Sequence, residues 1–477
     1  MAISSYTPSG KDFTQKVLGS DNYLDIQNNG WAQQYLPDLM EKEAEVFGKR
    51  TISGFLSQVS AEEAMSADQV IWSEQGRLHL AYECTITAAA SSTMKVAKTM
   101  DGVTQTTDHG LRVGDMVLIA GGGQTITARV SVAAASDDDF TVTPYGYEHL
   151  DDAGFVDGDD TCKVLVFGSE FAKGTNNQTR ANEPVFTTYT NKPIIIKDMY
   201  EVSGSDAAQI GWVEVSGEDG QNGYYWYLKA EGDTRARFND YLEMVCIEAE
   251  KAATVSLALG GVVGTDERQG TEGLFKAITS RGHQSSGITG VNAATDLAEF
   301  DAMLAAFDEN GAIEENMMFV NRATSLAMDD MLASMNSYGA GGTSYGVFNN
   351  SEDMALNLGF SGFRRGSYDF YKSDWKYLND KQTRGGINAA ATGGEAIRGV
   401  VVPAGVSSVY DQSLGKNMKR PFLHVRYRAS QLESRKNKTW ITGSVGAVTS
   451  DLDAMTVNML SERCMVVQGA NNFCLLN

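Results

Sequence analysis

The longest helical pattern in the sequence lies between Tyr224 and Ala253. Phe238, Leu242, Val245 and Ala249 recur at i, i+4, i+7 and i+11, which places them on one face of a helix. The pattern predicts one helix of about 30 residues, or about 45 Å at the usual rise per residue. The charged residues of this segment are expected on the other, solvated faces; they are Asp233, Arg235, Arg237, Asp240, Glu243, Glu248 and Lys251.

An extended segment precedes this helix. Ile194, Ile195 and Ile196 form a β-type run, and a polar stretch with repeated glycines then leads to Gly223. An enzyme core rarely needs a long helix joined to a long extended arm. The combination is typical of a subunit that bridges neighbours in a lattice.

The first 60 residues are polar, with apolar residues at irregular spacing. They show no sustained helical or strand period, so we interpret them as an arm that lies on another surface. A short helix is predicted at its end, near Leu36–Phe47.

Between about Thr85 and Phe167 the pattern changes to short β-type runs at spacings of roughly ten residues. Turn residues separate the runs, and the flanking segments do not resemble them. The segment is therefore predicted to be an inserted all-β barrel or sandwich. Its runs are Met94–Ala97, Asp115–Ile119, Ala128–Val132 and Phe140–Thr143.

A mixed α/β pattern follows the long helix. Helices are predicted at about Ala294–Phe307 and Ala323–Met335, with the apolar strand Met317–Val320 between them. A glycine-rich loop at 338–343, which includes Gly341 and Gly342, comes next. Further strands are predicted near Tyr368–Tyr371, Gly399–Val402, Phe422–Tyr427 and Glu462–Gln468.

Composition limits the function classes. The 477 residues carry a formal net charge of −22, whereas a protein that coats DNA by neutralising phosphates carries a basic surplus. None of the five cysteines is paired at CxxC spacing, which indicates buried free thiols in a reducing compartment. The start of the chain lacks the pattern of a secretion signal, and no apolar run approaches ~18 residues. We therefore expect synthesis in a cytoplasm and no membrane span.

Charge is unevenly distributed along the chain. Residues 131–170 carry ten carboxylates against one lysine, a net charge of −9. Residues 411–440 carry eight cations against two carboxylates, a net charge of +6. Each segment is either a solvated face or one of two complementary surfaces that meet between subunits.

No pattern in the sequence indicates catalysis. No two of the five histidines lie three to five residues apart, so the histidine spacing of helical or finger-type metal sites is absent. Gly121–Gly123 and the glycines at 339–342 lack the features of a phosphate-binding loop or a dinucleotide fingerprint. One GxSxG sequence occurs, at 342–346, but it follows a predicted helix and a glycine-rich loop, whereas a nucleophile elbow follows a strand. The prediction is a protein without catalytic residues, bound metal or cofactor.

The order of segments and three local stretches resemble a known family. The stretches are Tyr200–Ser205 leading to Trp212, then Gly223–Ala230, and Leu460–Phe473 near the C-terminus. They resemble major capsid proteins of tailed bacteriophages with the HK97-type fold, and are most similar to those of crAss-like phages. The likeness lies in the residue types of these stretches and in the order of the segments over about 190–477, and it includes no sharp motif.

The resemblance implies an α+β, HK97-like fold that carries the inserted all-β domain. A spine helix and a closing strand at 462–476 that pairs back beside it would belong to a peripheral domain. The implied divisions are an N-terminal arm at 1–60, an extended loop at 60–200 with the insertion at about 85–167, a peripheral domain at 201–257 and 430–477, and an axial domain at 258–430.

The resemblance also implies a function. The chain would be a structural subunit that assembles into hexamers and pentamers of an icosahedral virion shell. The shell would enclose double-stranded DNA without sequence-specific binding and form in a bacterial host cytoplasm. Separate scaffold and portal proteins, and decoration proteins, are the implied partners. The residues predicted to contribute to assembly are Trp226, Phe238, Leu242, Val245, Gly341, Gly342, Arg426 and Arg428.

Two other classes of function stay open at this stage. The chain could be a carbohydrate- or cell-binding module whose inserted β domain is the active part. It could also be an enzyme whose site residues are too far apart in sequence for spacing rules to detect. Shells seen by electron microscopy, or glycan binding by the inserted domain, would separate these classes.

Overall fold

A computed structural model describes 53–75, 79–97, 99–100, 103–104, 109–133, 139–159, 161–178, 181–182, 186–206, 215–216, 222–223, 225–252, 270–286, 288, 293–310, 313–337, 362–390, 396–404, 406–411, 416–445 and 448–477. The chain divides into two compact units. One consists of Met1–Trp72 and Thr190–Asn477, and the other of Ser73–Tyr189. The second unit is thus inserted in the sequence of the first.

The helices and strands of the described residues are numbered in chain order. The α-helices are α1 Phe55–Val59, α2 Tyr225–Glu248, α3 Leu274–Arg281, α4 Ala293–Asn310, α5 Arg322–Ser337, α6 Lys376–Asn379 and α7 Arg384–Ala390. The strands up to the long helix are β1 Ala61–Met65, β2 Val70–Gln75, β3 Ala81–Ala88, β4 Thr93–Val96, β5 Thr99–Met100, β6 Val103–Thr104, β7 Asp115–Gly121, β8 Gln124–Ala133, β9 Asp139–Pro144, β10 Cys162–Ser169, β11 Phe186–Asn191, β12 Ile194–Ser203, β13 Val215–Ser216 and β14 Asn222–Gly223. The later strands are β15 His283–Ser285, β16 Glu315–Val320, β17 Gly362–Arg365, β18 Tyr368–Asp374, β19 Gly399–Pro403, β20 Val406–Asp411, β21 Lys416–Pro421, β22 Leu423–Arg428, β23 Lys438–Gly443, β24 Ala454–Val467 and β25 Cys474–Leu476.

The unit Ser73–Tyr189 contains a closed barrel of six strands in the order β10, β3, β4, β9, β8, β7. Alternate residues of each strand point inward, so the interior is apolar and fully enclosed. Ile86, Val117, Val130 and Phe140 are among its buried residues, each no more than 1% exposed. Because the sheet closes on itself, the barrel has no free edge strand.

The larger unit contains a five-stranded sheet whose strands come from distant parts of the sequence. Its order is β1, β22, β24, β12. The strand β23 pairs with the same edge of β24 as β22 does, closer to the start of β24. The short strand β1 pairs parallel to β22, whereas the other pairs are antiparallel. Strands on both sides of the inserted barrel in sequence therefore belong to one sheet.

The long helix α2 packs on β12 and β24 of this sheet. It ends at Glu248, five residues before the predicted end. Phe238, Leu242 and Cys246, spaced four residues apart, are each 2–3% exposed and form its core face. Val245, predicted on the buried face, is half-buried.

A second sheet of the same unit has six strands in the order β15, β25, β19, β16, β18, β17. Both of its faces are covered, which explains the unbroken apolar run in β16. Met318 and Val320 of β16 pack with α4 residues Phe300 and Phe307 on one face. Phe319, between them, packs on the other face in a cluster with α3.

The C-terminal segment differs from the predicted single closing strand at 462–476. The strand β24 begins at Ala454 and ends at Val467, and a turn with Gly469 at φ 58° follows. The chain then enters the second sheet as β25, which pairs with β15 and β19. A left-handed glycine and a 3₁₀ turn at Ala470–Asn472 break the strand, because an extended chain cannot continue through them.

Several predictions lie outside the described residues. They are the arm up to residue 52, the short helix predicted within it, and the glycine-rich loop at 338–343 with Gly341 and Gly342.

Candidate assembly surfaces

The contact between the long helix and the first sheet is apolar at its centre. Phe238 and Leu242 of α2 cluster with Met459 of β24, and Ile196 of β12 packs against them. At the edge, Arg237 pairs with Asp198 of β12 at 3.2 Å. Both predicted apolar residues are therefore buried within their own subunit by the sheet.

Glu243 of α2 holds the chain where α1 begins. Its Oε2 accepts the backbone N–H of Gly54 at 2.7 Å. Its Oε1 accepts the N–H groups of Phe55 and Leu56 at 2.7 and 3.2 Å. The residue is 6% exposed, so the prediction that Glu243 lies on a solvated face is wrong. Helical spacing cannot show that a carboxylate meets the unpaired N–H groups of another helix start.

Two opposing effects act on the Glu243 carboxyl. Burial raises its pKa, and the three backbone N–H donors partly offset this by stabilising the ionised form. The neighbouring carboxylate of Asp240 adds to the increase. Asp240 itself accepts the backbone N–H of Ser53 at 3.1 Å in an exposed contact.

Phe55 anchors the same segment in the core. Its ring stacks on Trp375 with centroids 4.3 Å apart and meets Phe319 edge-on at 4.7 Å. Aromatic pairs of this geometry stabilise beyond their buried area. The chain that leads into β1 is therefore fixed by an apolar contact and by the hydrogen bonds to Glu243.

Ion pairs hold β1 and its flanks to the rest of the sheet. Arg426 of β22 pairs with Glu63 of β1 at 3.1 Å. Arg428 donates a 2.6 Å hydrogen bond to Glu462 of β24 and also pairs with Asp68. The Nε of Arg435 lies 2.7 Å from the second oxygen of Glu462 without hydrogen-bond alignment, so that contact is ionic.

The same pairing extends through the basic segment 411–440. Lys436 pairs with Glu62 of β1, and Lys438 pairs with Glu433 at 2.6 Å. The cations of this segment whose contacts are described thus have carboxylate partners in their own chain. The hypothesis that the segment meets the acidic segment 131–170 of a neighbour stays a prediction.

We expect Glu462→Gln to lower the free energy of unfolding by about 2 kcal/mol. The side chain of Glu462 is 7% exposed and pairs with Arg428 and Arg435. The neutral amide removes this carboxylate from Arg435 and leaves Arg428 with Asp68 as its carboxylate partner. The partial exposure of the arginines keeps the cost below that of a fully buried pair. Urea denaturation of the purified protein measures the change.

Glu433→Gln is the matched control for this prediction. Its pair with Lys438 leaves both side chains more than 40% exposed, so we expect a loss below about 1 kcal/mol. Equal effects of the two substitutions would contradict the special role of Glu462.

The face of the first sheet turned away from α2 carries exposed apolar side chains. Side chains alternate along β12, so Ile195 and Met199 point away from the face that holds Ile196. They are 51% and 52% exposed. Met199 lies opposite Asn458 of β24, which lies opposite Trp440 of β23 in turn. Ile195 and Met199 of β12 and Trp440 of β23 thus lie on one exposed face, with Lys197 and Asn458 between them. These three apolar side chains are called here the exposed apolar row.

The predicted assembly residues fall into three groups. Phe238, Leu242 and Val245 lie on the long helix within the subunit, and Arg426 and Arg428 make ion pairs within the subunit. Their contribution to assembly stays a prediction. The side chain of Trp226, and the whole of Gly341 and Gly342, lie outside the described part of the chain.

Sequence reasoning missed Glu243 and the exposed apolar row. The alternation in β12, in which Ile195, Lys197 and Met199 are the exposed residues, appears only in the folded sheet; the sequence run Ile194–Ile196 does not alternate and gives no such signal. The pairing with Trp440 carries no local signal, because about 240 residues separate the two strands.

The described residues contain no group of three histidine, cysteine or acidic side chains arranged to hold a metal ion. All five cysteines are buried, and burial raises the pKa of Cys246, Cys464 and Cys474 to about 12. No helix in the described part of the chain is long and apolar enough to cross a membrane.

No protein-family model matches the chain, and no curated protein matches its sequence. Among solved structures, similarity is found to those described as "Microbacterium phage Oxtober96" and "Mycobacterium phage Ogopogo", each with 10% identity over 95% of this chain. They are covered over 99% and 98% of their lengths, with TM-scores of 0.39 and 0.38. A third, "The capsid of Myoviridae Phage XM1", matches 64% of this chain and 80% of its own at 10% identity, with a TM-score of 0.33.

These TM-scores are all below 0.5.

Proposed function

We propose that this protein is the major capsid subunit of a tailed bacteriophage with an HK97-like fold. It assembles into hexamers and pentamers of an icosahedral virion shell that encloses double-stranded DNA. Separate scaffold and portal proteins, and possible decoration proteins, act with it. In this role the chain contributes surfaces rather than catalytic groups.

The exposed apolar row on the first sheet is the observation that carries the proposal. Ile195 and Met199 are about half exposed, and Trp440 lies in the same row at 36% exposure. Exposed apolar side chains gathered on one face of a soluble protein, here bordered by the polar residues Lys197 and Asn458, mark surfaces that contact partners. Aromatic residues and methionine are enriched in such contacts.

The location of this row favours contact with other copies of the subunit. It lies on the sheet whose opposite face is occupied by α2, so a partner can cover it without disturbing the core. The sheet is held by buried packing and by the ion pairs of Glu462, which keep the row in a fixed geometry. A rigid surface loses little conformational entropy when it binds.

Assembly of this kind depends on the sum of many weak contacts. Each subunit in a closed shell touches several neighbours, so a modest energy per contact produces a stable lattice. The net charge of −22 opposes adhesion to nucleic acid. Packaged DNA then stays mobile against a shell that does not bind it tightly.

Electron microscopy of the overexpressed full-length protein, alone and with a scaffold protein, tests the proposal. We expect shells or tubes built from hexamers. A protein that stays strictly monomeric even with the scaffold would overturn it. Met199→Asp should reduce shell yield without changing the melting temperature of the unassembled subunit, because Met199 is exposed there.

A further inference from the structure

One end of the barrel carries a cluster of exposed apolar side chains. Phe171 packs against Gly114, just before β7, and the backbone N–H of Glu170 donates to the Gly114 carbonyl at 2.8 Å. The Tyr145 hydroxyl reaches the Glu170 carboxylate, which brings its ring to the same region. The cluster, called here the apolar end, comprises Val113, Tyr145, Phe167 and Phe171, each 41–51% exposed.

The strands next to this cluster are apolar on both faces. Val117 and Ile119 of β7 fill the barrel. The outward residues Met116, Leu118 and Ala120 are also apolar. Leu118 of β7 lies directly opposite Leu165 of β10 on the outer surface. Strands with apolar residues on both faces are typical of sheets covered on both sides. A closed barrel has no free edge, so any cover must contact side chains.

The opposite end of the barrel is acidic. The strand β7 ends at Gly121, and Gly122 lies against the Asp159 carboxylate. Seven residues of strand separate the two ends by about 20 Å. The acidic end has Val156 at its surface, 64% exposed. Its carboxylates are Glu148, Asp151, Asp152, Asp157 and Asp159.

At the apolar end, positive charges slightly outnumber negative charges. Four cations, Lys95, Arg112, Arg129 and Lys173, lie in or beside the strands that reach this end, against three carboxylates, Asp115, Asp139 and Glu170. Asp115 is fully buried and already bonded by Arg112 and by Gln178. The two ends of one barrel are therefore opposite in their charge balance, and each also exposes apolar surface.

We propose that the barrels of neighbouring copies of this chain bind head to tail, the apolar end of one against the acidic end of the next. The inference rests on the proposed function, which places many copies side by side. Contacts between two different surfaces of the same subunit generate rings when the rotation closes. The partner of the acidic segment is then the barrel of a neighbour, and not the basic segment 411–440.

The two components of this contact have different roles. Burial of Phe171 and its neighbours supplies most of the affinity, because removal of apolar surface from water is the larger effect. The charges speed association and fix which end meets which, since like ends repel. Individual exposed ion pairs contribute little and are screened by salt.

Carbodiimide crosslinking of wild-type shells tests the contact. The reagent joins an amine directly to a carboxylate, so it cannot bridge the ends of one barrel about 20 Å apart. We expect peptides that join Lys173 to Glu148, Asp151 or Asp152, at least tenfold more abundant in shells than in unassembled protein. Shells without these peptides would overturn the contact.

A variant pair tests the head-to-tail arrangement. Shells of the double variant Lys173→Cys, Glu148→Cys are treated with a flexible bis-maleimide and resolved on a denaturing gel. A ladder of covalent multimers is expected, whereas each single variant should stay monomeric. The native cysteines are buried and do not compete for the reagent.

The double variant Lys381→Cys, Glu148→Cys is the matched control and should give no ladder. Dimers from either single variant would show that like ends meet, which contradicts the proposal. If wild-type protein forms no shells with its scaffold, the proposed function fails. If shells form without the Lys173 crosslinks, only the barrel contact fails.

Discussion

Leu242→Asp is expected to prevent folding of the larger unit. Leu242 is 2% exposed and packs with Phe238 and Met459 between the long helix and the sheet. Loss of a buried leucine costs about 2–5 kcal/mol through lost burial and the cavity that remains. A carboxylate in that site is also desolvated without a partner. Domains are stable by only about 5–15 kcal/mol, so little folded protein should remain.

Soluble yield and urea denaturation measure this effect, with Tyr241→Asp as the matched control. Tyr241 is the adjacent residue on α2 and is 42% exposed. Its substitution should change the free energy of unfolding by less than about 1 kcal/mol. Folded Leu242→Asp protein with wild-type stability would show that the buried face of α2 is assigned incorrectly.

Glu243→Ala is expected to lower the free energy of unfolding by about 3 kcal/mol. The substitution removes the acceptors of three backbone N–H groups in Gly54, Phe55 and Leu56. Each buried donor left without an acceptor costs about 1–3 kcal/mol. Relief of the burial that raises the Glu243 pKa offsets part of this cost. Hydrogen exchange should become faster at these three amides.

Two further variants test the cause of this effect. Glu243→Gln keeps one acceptor oxygen and the size of the side chain, so we expect about half of the loss seen with alanine. Asp240→Ala removes the exposed contact to Ser53 and should cost less than about 1 kcal/mol. If Asp240→Ala is as harmful as Glu243→Ala, the carboxylate of Glu243 is not what holds the segment.

Periodic patterns predicted much of the secondary structure. The apolar runs at 115–119, 128–132 and 140–143 lie in β7, β8 and β9, because side-chain alternation inside a barrel is a local property. The helices predicted at 294–307 and 323–335 lie within α4 and α5 for the same reason. Helix and strand ends were less accurate: β24 begins eight residues before the predicted strand.

The candidate site was much less predictable. The spacing of Phe238 and Leu242 correctly placed both on the buried face of a helix, but it also placed Glu243 in solvent. Glu243 is buried because α1, nearly 190 residues earlier in the sequence, meets that side of the helix. Similarly, the basic composition of 411–440 was evident, while its pairing with Glu62, Glu63 and Glu462 was not.

The sequence by itself determined which segments are helices and strands, that the chain is acidic, and which residues prefer the interior. Only the tertiary structure decided which strands share a sheet, that Met199 and Trp440 lie in one exposed row, and that the barrel has one apolar and one acidic end. The physical reason is that periodicity and charge are properties of neighbouring residues. Strand partners and surface clusters depend on contacts between distant residues, which packing of the whole chain selects.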